Sequence, residues 1–216
     1  MPACPRAASP REPSPRGAGF QRVRARRPLA VCLAVAALLG LGACGNETAY
    51  LLPPAPAAQR LPSPVRGIAL ADVSLPTYAS DVEIAALVGP ETVKLHQSSL
   101  WADEPTRAVT RHLAAALEAR LATHVVTDPW PGYESPGLRI EVAVDRLVGA
   151  PSGGVEFSGQ YVMLDPESGR ITATDRFAIT VPPQGEGFPG MMAGEARAIE
   201  ALADRLVARI TGRRMS

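Results

Sequence analysis

Apolar and polar side chains alternate cleanly from Leu138, with Leu138, Ile140, Val142 and Val144 facing one way and Arg139, Glu141, Ala143 and Asp145 the other. A period of two predicts a half-buried strand over Leu138 to Val148. The alternation resumes after Gly153-Gly154 as Val155, Phe157, Gly159, Tyr161 and Met163. After a turn at Asp165-Pro166-Glu167-Ser168-Gly169, the run Ile171 to Val181 completes a predicted antiparallel meander of three strands. Earlier runs are shorter. Val65 to Val73 stops before Pro76. Val82 to Val88 ends at the turn pair Gly89-Pro90, and Val93 to Leu100 returns as its hairpin partner with Val93, Leu95 and Gln97 on one face. The EIAALV core of the second run fits a helical turn as well. His124 to Thr127 reads as a short strand before the loop Asp128-Pro129-Trp130-Pro131-Gly132.

Two stretches change to the helical period. From Asp103 to Ala122, Val109, Leu113, Leu117 and Leu121 with Ala116 make one apolar stripe, led by two acids and Pro105 in the first turn. Arg120 falls within that stripe and is read as snorkelling toward the last carbonyls. From Met191 to Thr211, Met192, Ala196, Ile199, Leu202, Ala203, Leu206, Val207 and Ile210 share a face opposite Arg197, Arg205 and Arg209. Each helix has one apolar stripe and the sheet one apolar face. The pattern predicts an α+β fold, a mainly antiparallel sheet with two long helices packed on one side.

The first 64 positions match neither period and hold 11 of the 22 prolines of the 216-residue chain. Residues 45 to 64 read as an extended tether. Leu29 to Ala43 is an uncharged run of fifteen behind Arg22, Arg24, Arg26 and Arg27, too short for a permanent span and suited to a secretory signal. It ends in Leu41-Gly42-Ala43-Cys44, which resembles the bacterial lipobox. That assigns residues 1–43 to a cleaved signal peptide, 44–64 to a lipidated tether and 65–212 to the folded domain. Cys44 would carry diacylglycerol and an N-acyl chain. Gly45 is not the aspartate associated with inner-membrane retention, which favours the outer membrane.

Charge and cysteine follow the same division. Residues 1–43 carry seven arginines against Glu12, a balance of +6, so the net charge of +1 leaves −5 for the remainder. An acidic remainder with Lys94 as its single lysine argues against a nucleic-acid binder. No cysteine follows Cys44, which excludes disulfides and thiolate metal sites from the mature chain.

Candidate chemistry is sparse. No nucleophile elbow, zincin motif or phosphate loop is present. His96, His112 and His124 are not at ligand spacing, Ser98, Ser99 and Ser168 lack an identifiable base, and Asp103-Glu104 suits a helix dipole. The reading is therefore non-enzymatic, without cofactor or metal. The loop-associated aromatics Tyr78, Trp101, Trp130 and Tyr133, and Phe188 beside Met191 and Met192, either plug the ends of the sheet or form a partner surface. Tyr78, Trp101, Trp130 and Phe188 are carried forward as candidate partner-binding residues.

The order of motifs resembles the auxiliary lipoprotein family of MCE-type ABC transporters, which includes paraquat-inducible protein C. The residues carrying the resemblance are Cys44 followed by Tyr50-Leu51-Leu52-Pro53, then Leu75-Pro76-Thr77-Tyr78, Trp101-Ala102-Asp103-Glu104-Pro105, the strand Leu138-Arg139-Ile140-Glu141-Val142-Ala143-Val144 and the Ala-rich last helix. The resemblance implies a lipid-anchored periplasmic subunit that docks on an MCE-domain protein beside an inner-membrane ABC permease complex and supports lipid transport between the membranes; a homo-oligomer is compatible with it. Readings from other classes are a lipoprotein of another envelope assembly or secretion machine, and a periplasmic hydrolase.

Overall fold

The computed structural model describes residues 46–213. The signal segment and the lipobox Leu41, Gly42, Ala43 and Cys44 lie outside the described residues. Within them the strands are β1 (Thr48–Tyr50), β2 (Ile68–Leu70), β3 (Glu83–Gly89), β4 (Thr92–Trp101), β5 (Val125–Thr127), β6 (Leu138–Gly149), β7 (Val155–Leu164) and β8 (Ile171–Val181). The helices are α1 (Thr77–Ser80), α2 (Pro105–Arg120) and α3 (Gly187–Thr211). The α+β class and the two long helices are as the periodicity predicts.

The sheet is organised about β6. One edge of β6 pairs along its length with β7, and β7 with β8, in the antiparallel meander read from the sequence. The other edge is shared. Its first residues, Leu138 to Ile140, take β2 in parallel, with β5 beyond; its last, Gly149, meets Ala86 of β3, and β4 and β1 continue outward. The sheet is thus mixed, because the pairs β1–β4, β2–β5, β2–β6 and β3–β6 are parallel. Parallel partners join through long crossovers, so three-residue strands such as β1 and β2 show only in the folded chain. Val82 to Val88 resolves to a strand, not a helical turn.

The inward positions of β6–β8, among them Ile140, Phe157, Tyr161 and Phe177, are buried beneath α3. A bulge between Val144 and Arg146 shifts the phase of β6, so Leu147 rather than Arg146 returns to the core. Gly159 lets β6 approach: a Cβ there would lie 2.2 Å from the Ala143 carbonyl oxygen. Helix α2 lies against α3 and β5. It begins two residues later than its acidic lead, with Glu104 accepting from the amides of Thr106 at 3.0 Å and Arg107 at 2.7 Å. Helix α3 begins four residues earlier than Met191 and ends at Gly212, whose φ of 68° makes a left-handed cap.

The Pro-rich segment from Thr48 onward is fastened to the domain. Residues Thr48–Tyr50 pair with Ser99–Trp101, the Ala102 amide donates to the Tyr50 carbonyl at 2.9 Å, and Leu61 exchanges two hydrogen bonds with Arg120 and Ala122. Tyr50, Leu52, Ala55 and Leu61 pack on the core. The physical reason is local: four apolar side chains among the prolines bury surface, which a polar linker could not do.

Candidate docking surfaces

The four aromatic candidates separate. Trp101, the last residue of β4, is only 8% exposed and lies in the core, the position of a side chain that plugs the end of the sheet. Tyr78 on α1 is half-buried, and its hydroxyl accepts from the Leu147 amide at 3.2 Å, pinning the helical turn to the end of β6. Phe188, in the first turn of α3, stacks against Tyr50 at 5.7 Å and His96 at 5.0 Å, so it closes the junction of β1, β4 and α3. These three gather at the end of β6. Trp130 lies at its other end, where its indole Nε1 donates to the Glu134 carbonyl at 2.8 Å. Its ring covers Gly67, whose φ of 70° and whose missing Cβ, which would meet the ring at 2.6 Å, both call for glycine. Trp130 walls an open cleft of about 510 Å³ bordered by Arg66, His124, Glu134, Asp165 and Glu167. Tyr133 is fully exposed beside it.

The groups weighed for chemistry take structural positions. Asp103 pairs with Arg107, and that hydrogen bond together with the Glu104 amide holds its carboxyl below the usual carboxylate range. Ser99 is buried beneath the β1 pairing, and Ser168 sits in the turn capped by Asp165. His96 packs on Phe188, His124 is exposed near Glu118, and His112 is buried between α2 and α3. The three histidines do not converge. Arg120 reaches the last-turn carbonyls as expected, donating to Ala116 at 3.0 Å, but its side chain is only 12% exposed and pairs with Asp204 of α3 at 2.6 Å instead of standing in water.

Two buried acids on α3 were not legible in the sequence, because acids on a helix read as solvated. Glu195 is 3% exposed, its Oε2 has no hydrogen-bond partner among the described residues, and burial pushes its carboxyl up to about 8. Ala79, Ile84, Ala85, Trp101 and Leu147 surround it. Glu200, 6% exposed, faces His112 and Arg197.

The exposed large apolar side chains include Val88, Val93 and Leu95, 58%, 37% and 42% exposed, at the tip of the β3–β4 hairpin. They are a surface feature that the aromatic inventory does not contain.

A model of the ABC-type transport auxiliary lipoprotein component family matches residues 50–207. The chain belongs to this family. The match runs from the last residue of β1 to the buried face of α3, so it includes the fastened Pro-rich segment along with the sheet. The sequence matches no curated protein. Among solved structures it is similar to an uncharacterized protein at 19% identity and a TM-score of 0.63, covering 76% of this chain and 99% of that one. A Xanthomonas campestris protein of the DUF330 family is similar at 17% identity and a TM-score of 0.55, covering 77% and 94%. At these identities the likeness is one of fold. Family membership makes the protein an auxiliary component of an ABC-type transport system, with a transporter as its associate.

Proposed function

We propose that the protein is a non-enzymatic lipoprotein, acylated at Cys44, that docks on an MCE-domain periplasmic protein and supports ABC-driven lipid transport between the inner and outer membranes. The observation that carries this reading is the family match over residues 50–207 directly downstream of Leu41-Gly42-Ala43-Cys44. The transporter supplies the energy, and this chain supplies attachment and a docking surface. It faces the periplasm, with the outer membrane favoured by Gly45. No helix among the described residues is long and apolar enough to cross a bilayer. Trp130 and the open cleft beside it, with the exposed Tyr133, offer an aromatic surface to a partner, whereas Trp101 is withdrawn into the core.

The test is an affinity pull-down from crosslinked, detergent-solubilised membranes. An MCE-domain protein and an ABC permease should be recovered; recovery of a different envelope machine would replace this reading. Metabolic labelling with palmitate should mark the protein and be abolished by Cys44→Ala, and a labelled variant would remove the anchor assignment.

A further inference from the structure

We propose that the tip of the β3–β4 hairpin is a membrane-contacting wedge that dips into the bilayer interface beside the acyl anchor. The inference rests on acylation of Cys44, as proposed above, and on three observations of the fold.

The first is direction. Strand β1 runs parallel to β4, with Thr48 opposite Ser99, so the chain upstream of Thr48 leaves toward the start of β4, which is the hairpin tip. The second is reach. Cys44 stands four residues before Thr48, and four extended residues span at most about 14 Å. Leu95 lies four residues before Ser99 along β4, about 14 Å at the rise of a strand. The reach of the chain therefore lets an anchor at Cys44 extend along this edge no farther than Leu95. The turn at Gly89-Pro90 projects about 10 Å past it, comparable with the depth to which interfacial elements enter the headgroup and acyl boundary.

The third is chemistry. Val93 and Leu95 occupy one face of the ribbon, opposite Leu87 and Ala85, Val88 is the extra residue of an irregularity next to the turn, and all three are exposed. A second copy pairing along an edge would extend the ladder and leave the unpaired Val88 outside it, whereas a bilayer surrounds a tip on all sides. The charges at and beside the tip are Lys94, Glu91 and, from β6 and β7, Arg146 at 3.9 Å from Glu91 and Glu156 at 2.6 Å from Arg146, two of each sign, which cancel. Contact here is apolar, not attraction to anionic headgroups, so it should be insensitive to salt.

The test exploits the cysteine inventory: with Cys44 acylated, an introduced cysteine is the sole thiol of the mature chain. The full-length protein, processed in a bacterial host and its acyl mass verified, is reconstituted into phosphatidylcholine–phosphatidylglycerol vesicles. Val88→Cys, Val93→Cys and Thr174→Cys variants carry an environment-sensitive fluorophore, Thr174 being exposed on the polar face of β8. Positions 88 and 93 should shift to the blue and lose emission to brominated acyl chains, while 174 does neither. The same hairpin in the unlabelled protein should exchange amide hydrogen more slowly on vesicles than in their absence. Emission at 93 matching that at 174, or a blue-shifted 93 that brominated lipid fails to quench and that crosslinks to a second copy, would overturn the wedge. An unacylated protein that does not float with vesicles would overturn the anchor and the wedge together, and the acyl mass tells that failure from the others.

Discussion

His112 of α2 and Glu200 of α3 face one another between the two long helices, with Nε2 3.7 Å from Oε1 and both side chains buried. The separation exceeds hydrogen-bond reach, so the pair is an electrostatic contact in a dry seam. Burial lowers the His112 pKa against the opposing pull of Glu200, and Arg120 lowers it further.

A buried base held below its ordinary pKa binds fewer protons in the native state than in the unfolded one. Its contribution is present above the unfolded value of about 6.5 and is lost as pH falls. His112→Gln should therefore flatten the acid side of the stability profile below that value while leaving pH 8 little changed. Urea denaturation at stepped pH measures both arms.

Glu195 acts in the opposite sense. Its carboxyl is raised to about 8, so between the unfolded carboxylate value and that point the native protein keeps a proton the unfolded chain releases. Stability should fall as pH rises through this window, by up to roughly 1.4 kcal/mol per pH unit. Glu195→Gln should remove the slope and be the more stable protein at pH 8. An unchanged slope in the variant would show that Glu195 is not the group responsible.

Thr110 holds the loop before α1 to α2. Its hydroxyl accepts from the Val73 amide at 2.9 Å and donates to the Thr106 carbonyl at 2.7 Å in a buried site. Thr110→Val leaves the Val73 amide without a partner and should destabilise by about 1–3 kcal/mol. Thr110→Ser should recover most of it, measured by the denaturation midpoint.

Gly159→Ala places a methyl against the backbone of β6 and the Phe177 ring. Overpacking of this kind costs about 1–3 kcal/mol, and here the clash is with a carbonyl that cannot step aside. The melting temperature should fall, with amide exchange in β6–β8 accelerated more than in β3–β4.

What the sequence disclosed follows from how far each signal reaches along the chain. The β6–β8 meander joins neighbours in sequence through tight turns, and Leu138 through Val144 announce which face is buried. The stripe from Val109 to Leu121 does the same for α2. By contrast, Thr48–Tyr50 finds its partner in Ser99–Trp101, some fifty residues on, and carries no periodicity of its own. The bulge at Asp145 reads as continued alternation. Glu195 and Glu200 look like surface acids until α3 is seen to be covered on nearly every side. Among the aromatics, Trp101 stands between Leu100 and Ala102 at the end of a strand run and Trp130 between two prolines, a difference in neighbours that goes with the burial of the first and the cleft wall formed by the second.

The parallel β1–β4 pairing also decides how the protein bears load. Tension applied at the amino-terminal side and directed along β1 slides that strand against β4, so its hydrogen bonds resist together instead of parting one after another. Past β1, any remaining force meets Leu61 clasped between Arg120 and Ala122. The segment ahead of the domain is thus harnessed at two points, along the edge of β4 and at the carboxyl end of α2.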